Sequence, residues 1–202
     1  MKLYHYSKSR STRVLWMLEE LGLEYEAEML PFDPRAFRLA DHLEIDRYGE
    51  MPMLIDEGHS MSESIAVIHY LLDRYGDGRL GPDRSADAYG PFLEWIQFGE
   101  AKLMDPLSQL LQNIALLPEA DRDRGAAERA RKVFNHFART VEAALTGKRY
   151  LLGEEFSAAD IVVGYALFVA KDFGVFPQGL GNLSEYYELL SSRPAFKLAT
   201  TS

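Results

Sequence analysis

The chain has 202 residues, 47% hydrophobic and 12% aromatic, enough to bury one large core or two small ones. Its formal net charge of -9 argues against a nucleic-acid or anionic-membrane partner, whose own negative field would repel it. There is no cysteine, which excludes disulfides, thiolate metal sites and a cysteine nucleophile, so any sulfur chemistry needs a sulfur brought by a ligand.

Lys2 to Tyr6 reads as a short strand. From about Arg10 the apolar residues Val14, Leu15, Leu18 and Leu21 recur at helical spacing until Gly22 stops them. Tyr25 to Leu30 gives a second strand, completing a βαβ unit with a right-handed crossover. Pro31 and Pro34 punctuate an irregular stretch in which one short helix is expected. Met53 to Asp56 and His59 to Met61 flank Glu57-Gly58, a tight-turn signal between antiparallel strands. A helix capped by Ser62 follows, with Ile65, Ile68, Leu71 and Leu72 on one face, and runs to about Tyr75.

This order predicts a mixed four-stranded sheet layered with helices, complete by residue 76. The turn-rich stretch 77–85 is expected as a linker, and 86–202 as an all-helical domain. Long helices are predicted at about 86–116, 122–145 and 158–171, with a shorter one near 183–192. No apolar run approaches the roughly 18 residues that cross a bilayer, and Met1 to Tyr6 lacks the apolar segment of a secretory signal; a cytoplasmic address is expected. Five scattered histidines show no metal-ligand spacing and read as ordinary surface or core residues.

Three short stretches carry candidate chemistry. In the first, Lys2, Lys8, Arg10 and Arg13 make residues 1–18 a basic island without Asp or Glu, to which an anionic ligand would be drawn. Ser9 or Ser11 would cap the first helix, which by itself explains a hydroxyl there. The same place also suits a thiolate, which the helix dipole, Arg13 and a donating serine would stabilise. In the second stretch, Met51-Pro52 opens a strand, and a cis bond would turn the Met51 backbone toward a cleft where an extended peptide can pair. In the third, Glu63-Ser64 begins a helix whose amides and hydroxyl suit a carboxylate, while Glu63 suits an ammonium group. The sheet order brings all three to one end, where open α/β sheets bind ligands.

With these motifs the chain resembles a cytosolic glutathione S-transferase of the serine type, and the resemblance covers nearly its whole length. It implies a thioredoxin-like N-terminal domain and an all-α helical-bundle C-terminal domain that lines the pocket for a hydrophobic electrophile. It also implies glutathione as co-substrate, no metal, and a homodimer. Ser9, four residues before Arg13, matches the catalytic serine; Ser11 and Tyr6 are competing donors. Met51-Pro52 matches the cis-proline element that pairs with the cysteinyl backbone of glutathione, and Glu63-Ser64 the pair that holds its γ-glutamyl end. Glu50 stands where many members carry a lysine that helps bind the glycyl carboxylate, leaving Arg35, Arg38 or His42 as substitutes. Phe156 to Asp160 resembles the family's helix-capping signature, a structural element. Along the predicted helix after the linker, Tyr89, Phe92, Trp95, Phe98 and Met104 form a stripe that reads as packing or dimer interface before pocket. The implied activity is conjugation of glutathione to an electrophile. The alternatives are glutathione-dependent isomerisation or peroxide reduction, and a non-catalytic binding protein that keeps the fold.

Overall fold

The computed structural model describes residues 1–30 and 50–201. In chain order the elements are β1 (Lys2–His5), α1 (Ser11–Leu21), β2 (Glu26–Met29), β3 (Met53–Asp56), β4 (His59–Met61), α2 (Ser64–Tyr75), α3 (Tyr89–Phe98), α4 (Asp105–Leu111), α5 (Arg124–Ala144), α6 (Ala158–Asp172), α7 (Gly181–Ser191) and α8 (Pro194–Thr201). Two compact units result, Met1–Gly81 with Ser191–Ser202, and Pro82–Leu190. The expected stretch around Pro31 and Pro34, with its short helix, lies outside the described residues.

The first unit is the expected mixed sheet of thioredoxin-like type, in strand order β2-β1-β3-β4. β1 pairs parallel with β2 and antiparallel with β3, which pairs antiparallel with β4. The β3–β4 turn falls on Glu57 and Gly58, both at positive φ (48° and 82°), the geometry that lets a two-residue loop follow the sheet's twist.

α1 is buried well beyond one face: Val14, Leu15, Trp16, Met17 and Leu18 are all at most 1% exposed. It packs on β1 and α2, and also against α8, a helix absent from the sequence reading. Trp16 meets Phe196 edge-on at 4.9 Å. Arg193 grips Glu20 with two nitrogens, at 2.6 and 2.7 Å. These contacts explain why residues 191–202, expected with the helical domain, group with the first unit. Gly22, at φ 64°, ends α1 with the Leu23 amide on the Leu18 carbonyl.

In the second unit, the single helix expected over 86–116 is broken up. α3 widens into a π-helical turn at Gly99–Met104, α4 follows, and a second π-helical stretch closes it at Gln112–Leu116. Pro106 lacks the amide that a continuous helix would use, and its ring crowds the carbonyl four residues back, so the ladder widens just before it. At Gly99 a Cβ would lie 2.6 Å from Val162, so glycine lets α3 approach α6 closely. Of the aromatic stripe, Phe92 and Met104 are buried, while Tyr89, Trp95 and Phe98 are half-buried.

α6 is buried from Ala158 to Ala170 and forms the core of this unit. Its start is the expected capping box: Asp160 Oδ2 accepts from the Ser157 amide at 2.8 Å, and the Ser157 side chain takes the Asp160 amide. Asp160 also accepts from the Ser157 hydroxyl (3.0 Å), the Leu151 amide (3.0 Å) and the Tyr186 hydroxyl (2.8 Å). Burial pushes this carboxyl up from its ordinary value, and the donors act against that shift.

At α2 the N-cap is Glu63 rather than Ser62, with no side-chain cap and the backbone at φ 66°, ψ 96°, a conformation costly for a residue with a Cβ.

Two variants test these features by urea unfolding. Asp160→Ala strands buried donors from Leu151, Ser157 and Tyr186 and is expected to lose about 3 kcal/mol or more, because each orphaned group costs about 1–3 kcal/mol. Glu63→Gly removes the backbone strain and is expected to gain about 1 kcal/mol, the balance of 1–3 kcal/mol of strain against glycine's extra unfolded-state freedom.

Candidate functional site

Sheet register assembles the site. Tyr4 pairs with Met53, so the chain just before β3, Met51-Pro52, runs beside the end of β1 and the loop that leaves it. β4 returns Met61 opposite Leu54, which starts α2 at that same end of the sheet. The three expected stretches are therefore brought together. The Met51-Pro52 peptide bond is cis, with Pro52 buried and Met51 half-buried.

The loop from β1 to α1 turns at Lys8, whose φ is 67°. Ser11 is the first residue of α1 and is fully buried; Ser9 is 7% exposed, so of the two serines it lies nearer the surface. The formal N-cap is Arg10, which makes no side-chain cap, and the Ser11 amide turns instead to Ser9 Oγ at 3.2 Å. The Ser9 hydroxyl donates to the Tyr6 carbonyl at 2.9 Å and lies 2.5 Å from Ser11 Oγ. Tyr6, the phenolic alternative, is half-buried, and burial raises its pKa, with Arg10 opposing and Glu50 adding to the shift. Its phenol is thereby kept protonated, able to donate but a poor base.

Arg13, 1% exposed, reaches from α1 to α2 and places Nε (2.9 Å) and Nη2 on Ser64 Oγ. A hydroxyl has two acceptor positions and one hydrogen. With Arg13 filling the acceptor positions, the Ser64 hydrogen is the capacity left for an anion. The Arg13 charge thus sits at the junction of two helix N-termini, where their dipoles also favour negative charge. Lys2 departs from the basic island, because it pairs with Glu28 (2.6 Å) and Glu26 (3.3 Å) on β2.

Glu63 and Glu50 are exposed. Arg35, Arg38 and His42, the substitutes for a lysine at position 50, lie outside the described residues. Sequence reasoning missed His5, which is fully buried at the end of β1 with Nδ1 2.7 Å from Ser11 Oγ. Its only signal was a polar residue closing a strand beside a serine-rich loop. Among the described residues no group of three or more His, Asp or Glu could hold a metal, and no helix is long and apolar enough to cross a membrane.

The chain as a whole is similar to known proteins. The family model for the glutathione S-transferase N-terminal domain matches residues 1–73, and that for the C-terminal domain matches residues 124–189. The glutathione S-transferase hmp2 of Hypomyces subiculosus is 31% identical, over 99% of this chain and 97% of its own. GstB of Escherichia coli, another glutathione S-transferase, is 27% identical over 92% of this chain and 89% of its own. In fold, the chain is similar to the glutathione transferase URE2P6 of Phanerochaete chrysosporium, solved in complex with oxidized glutathione. That similarity has a TM-score of 0.87 at 24% identity and covers 98% of this chain and 93% of that one. The chain belongs to the glutathione S-transferase family.

Proposed function

We propose that this glutathione transferase ionises the thiol of glutathione beside Ser9 and delivers the thiolate to a small apolar electrophile. The observation that carries the reading is the meeting of two helix N-termini at one end of the sheet, joined by Arg13 on Ser64, with the Ser9 hydroxyl and a cis Met51-Pro52 bond beside them. Ser9 redirects its hydrogen from the Tyr6 carbonyl to the sulfur, aided by the start of α1. A charge-assisted hydrogen bond is worth roughly 1.5–3 kcal/mol, enough to lower a thiol pKa of about 8.5 by one to two units. The thiol proton leaves for solvent, the sulfur lone pair forms a carbon–sulfur bond, and the electrophile's leaving group departs with its electron pair.

The remaining residues hold the tripeptide. The Met51 backbone pairs with its cysteinyl unit, the Ser64 hydroxyl donates to the γ-glutamyl carboxylate, and Glu63 accepts from the ammonium group. Glu50, exposed beside Met51, would repel the glycyl carboxylate, so the cation for that end comes from another residue. Arg13 acts mainly by fixing Ser64 and adding positive charge. The protein works as a cytoplasmic homodimer; the exposed apolar residues Leu93 on α3 (37%) and Val133 on α5 (44%) support an interface on the helical unit.

Steady-state kinetics with glutathione and a generic aryl halide test the catalytic assignment. Ser9→Ala is expected to lower kcat by about 10- to 100-fold, matching the loss of one charge-assisted hydrogen bond, to leave KM for glutathione nearly unchanged, and to move the onset of activity to higher pH. Activity that survives Ser9→Ala but is lost in Ser11→Ala would assign the thiol to Ser11 and contradict the proposal.

A further inference from the structure

The proposed site leaves the buried His5 ring without a role. It stands at one end of a chain of polar atoms: His5 Nδ1 is 2.7 Å from Ser11 Oγ, Ser11 Oγ is 2.5 Å from Ser9 Oγ, and Ser9 Oγ is 2.9 Å from the Tyr6 carbonyl. His5 and Ser11 are both fully buried.

Counting hydrogens fixes the direction of the chain. A carbonyl only accepts, so the hydrogen in the Ser9–Tyr6 contact belongs to Ser9. Each hydroxyl has one hydrogen; Ser11 Oγ also lies 3.4 Å from the Tyr6 carbonyl, but that is the longest contact of the cluster, and the much shorter Ser9–Ser11 contact takes the hydrogen of Ser11. Ser11 then has none left for the ring, and the His5–Ser11 contact must use a hydrogen on Nδ1. Ser9 Oγ consequently accepts from both the hydroxyl and the amide of Ser11, and its own hydrogen, on the Tyr6 carbonyl, is the one it can turn to an incoming sulfur. In the opposite tautomer Ser11 would donate to the ring and Ser9 to Ser11, and Ser9 would present only lone pairs to an approaching sulfur. Those would repel a thiolate.

We infer that His5 is a positioning residue for the transferase reaction: in its Nδ1–H tautomer it holds Ser11, and through Ser11 turns the hydrogen of Ser9 toward the thiolate. The inference rests on Ser9 being the thiolate donor. Ser11 is then neither a rival to Ser9 nor a mere cap; it transmits the direction.

Asn and Gln separate this role from packing, since the Asn amide nitrogen falls near the position of Nδ1 and the Gln amide nitrogen near that of Nε2. The readout is the ultraviolet absorbance of the bound glutathione thiolate as a function of pH, with glutathione affinity measured alongside. His5→Asn should titrate like the unaltered protein. His5→Gln should raise the midpoint by about one unit, about tenfold less thiolate near neutral pH, with affinity changed less than about twofold. Ser11→Ala removes the oxygen onto which Ser9 could turn its hydrogen inward, so in a Ser11→Ala background His5→Gln should add no shift. In a Ser9→Ala background, His5→Gln should add nothing. An unchanged midpoint in His5→Gln overturns the inference, as does an equal further shift by His5→Gln when Ser9 or Ser11 is absent. A Ser9→Ala protein that titrates normally overturns the Ser9 reading itself, a separate failure.

Discussion

The guanidinium of Arg13 on Ser64 Oγ is the constraint from which the site follows. It ties the first turn of α1 to the first residue of α2, so two helix N-termini stay side by side at one end of the sheet. Their helix dipoles and the buried positive charge together favour an anion at this place, in a chain of net charge -9. Arg13 is held in turn because α1 is enclosed, by the sheet and α2 and by α8 through Trp16, Phe196 and the Glu20–Arg193 pair. The chain's last helix therefore helps to fix the helix whose first turn carries the proposed chemistry.

Local structure at that end departs from the ordinary. Lys8 and Glu63 hold positive φ without being glycine, and neither α1 nor α2 carries the usual side-chain cap. The serines near the helix starts are engaged otherwise: Ser9 and Ser11 with each other and the Tyr6 carbonyl, Ser64 with Arg13. Such strain persists where the surrounding structure over-determines it, and ligand sites are where it concentrates. Contrast the start of α6, where Ser157 and Asp160 form a complete capping box with no strain and no exposed polar group. The start of α6 serves stability, whereas those of α1 and α2 carry the residues proposed to bind.

Much of this was legible in the residues. The β3–β4 turn at Glu57-Gly58, the helix stop at Gly22 and the capping box at Ser157 each rest on local chemistry that short sequence windows contain. The meeting of the three candidate stretches followed from strand order alone. Other features depend on distant partners and gave no local signal. Ser62 looks like the better cap for α2, yet the chain turns at Glu63, where Ser64 must reach Arg13 fifty-one positions away in sequence. The segment that forms α8 is short, and only its burial against α1 makes it part of the first unit. The single helix expected after the linker ignored what Pro106 does to a hydrogen-bond ladder. Direction in the His5–Ser11–Ser9 chain appears only once hydrogens are counted along its contacts.

The central claim is that the end of the sheet where α1 begins lowers the pKa of an imported thiol. Spectrophotometric titration of glutathione bound to the unaltered protein measures this directly through the thiolate absorbance. A midpoint at least one unit below the free value of about 8.5 is predicted. A bound thiol that titrates at the free value, or glutathione that does not bind at all, would contradict the account.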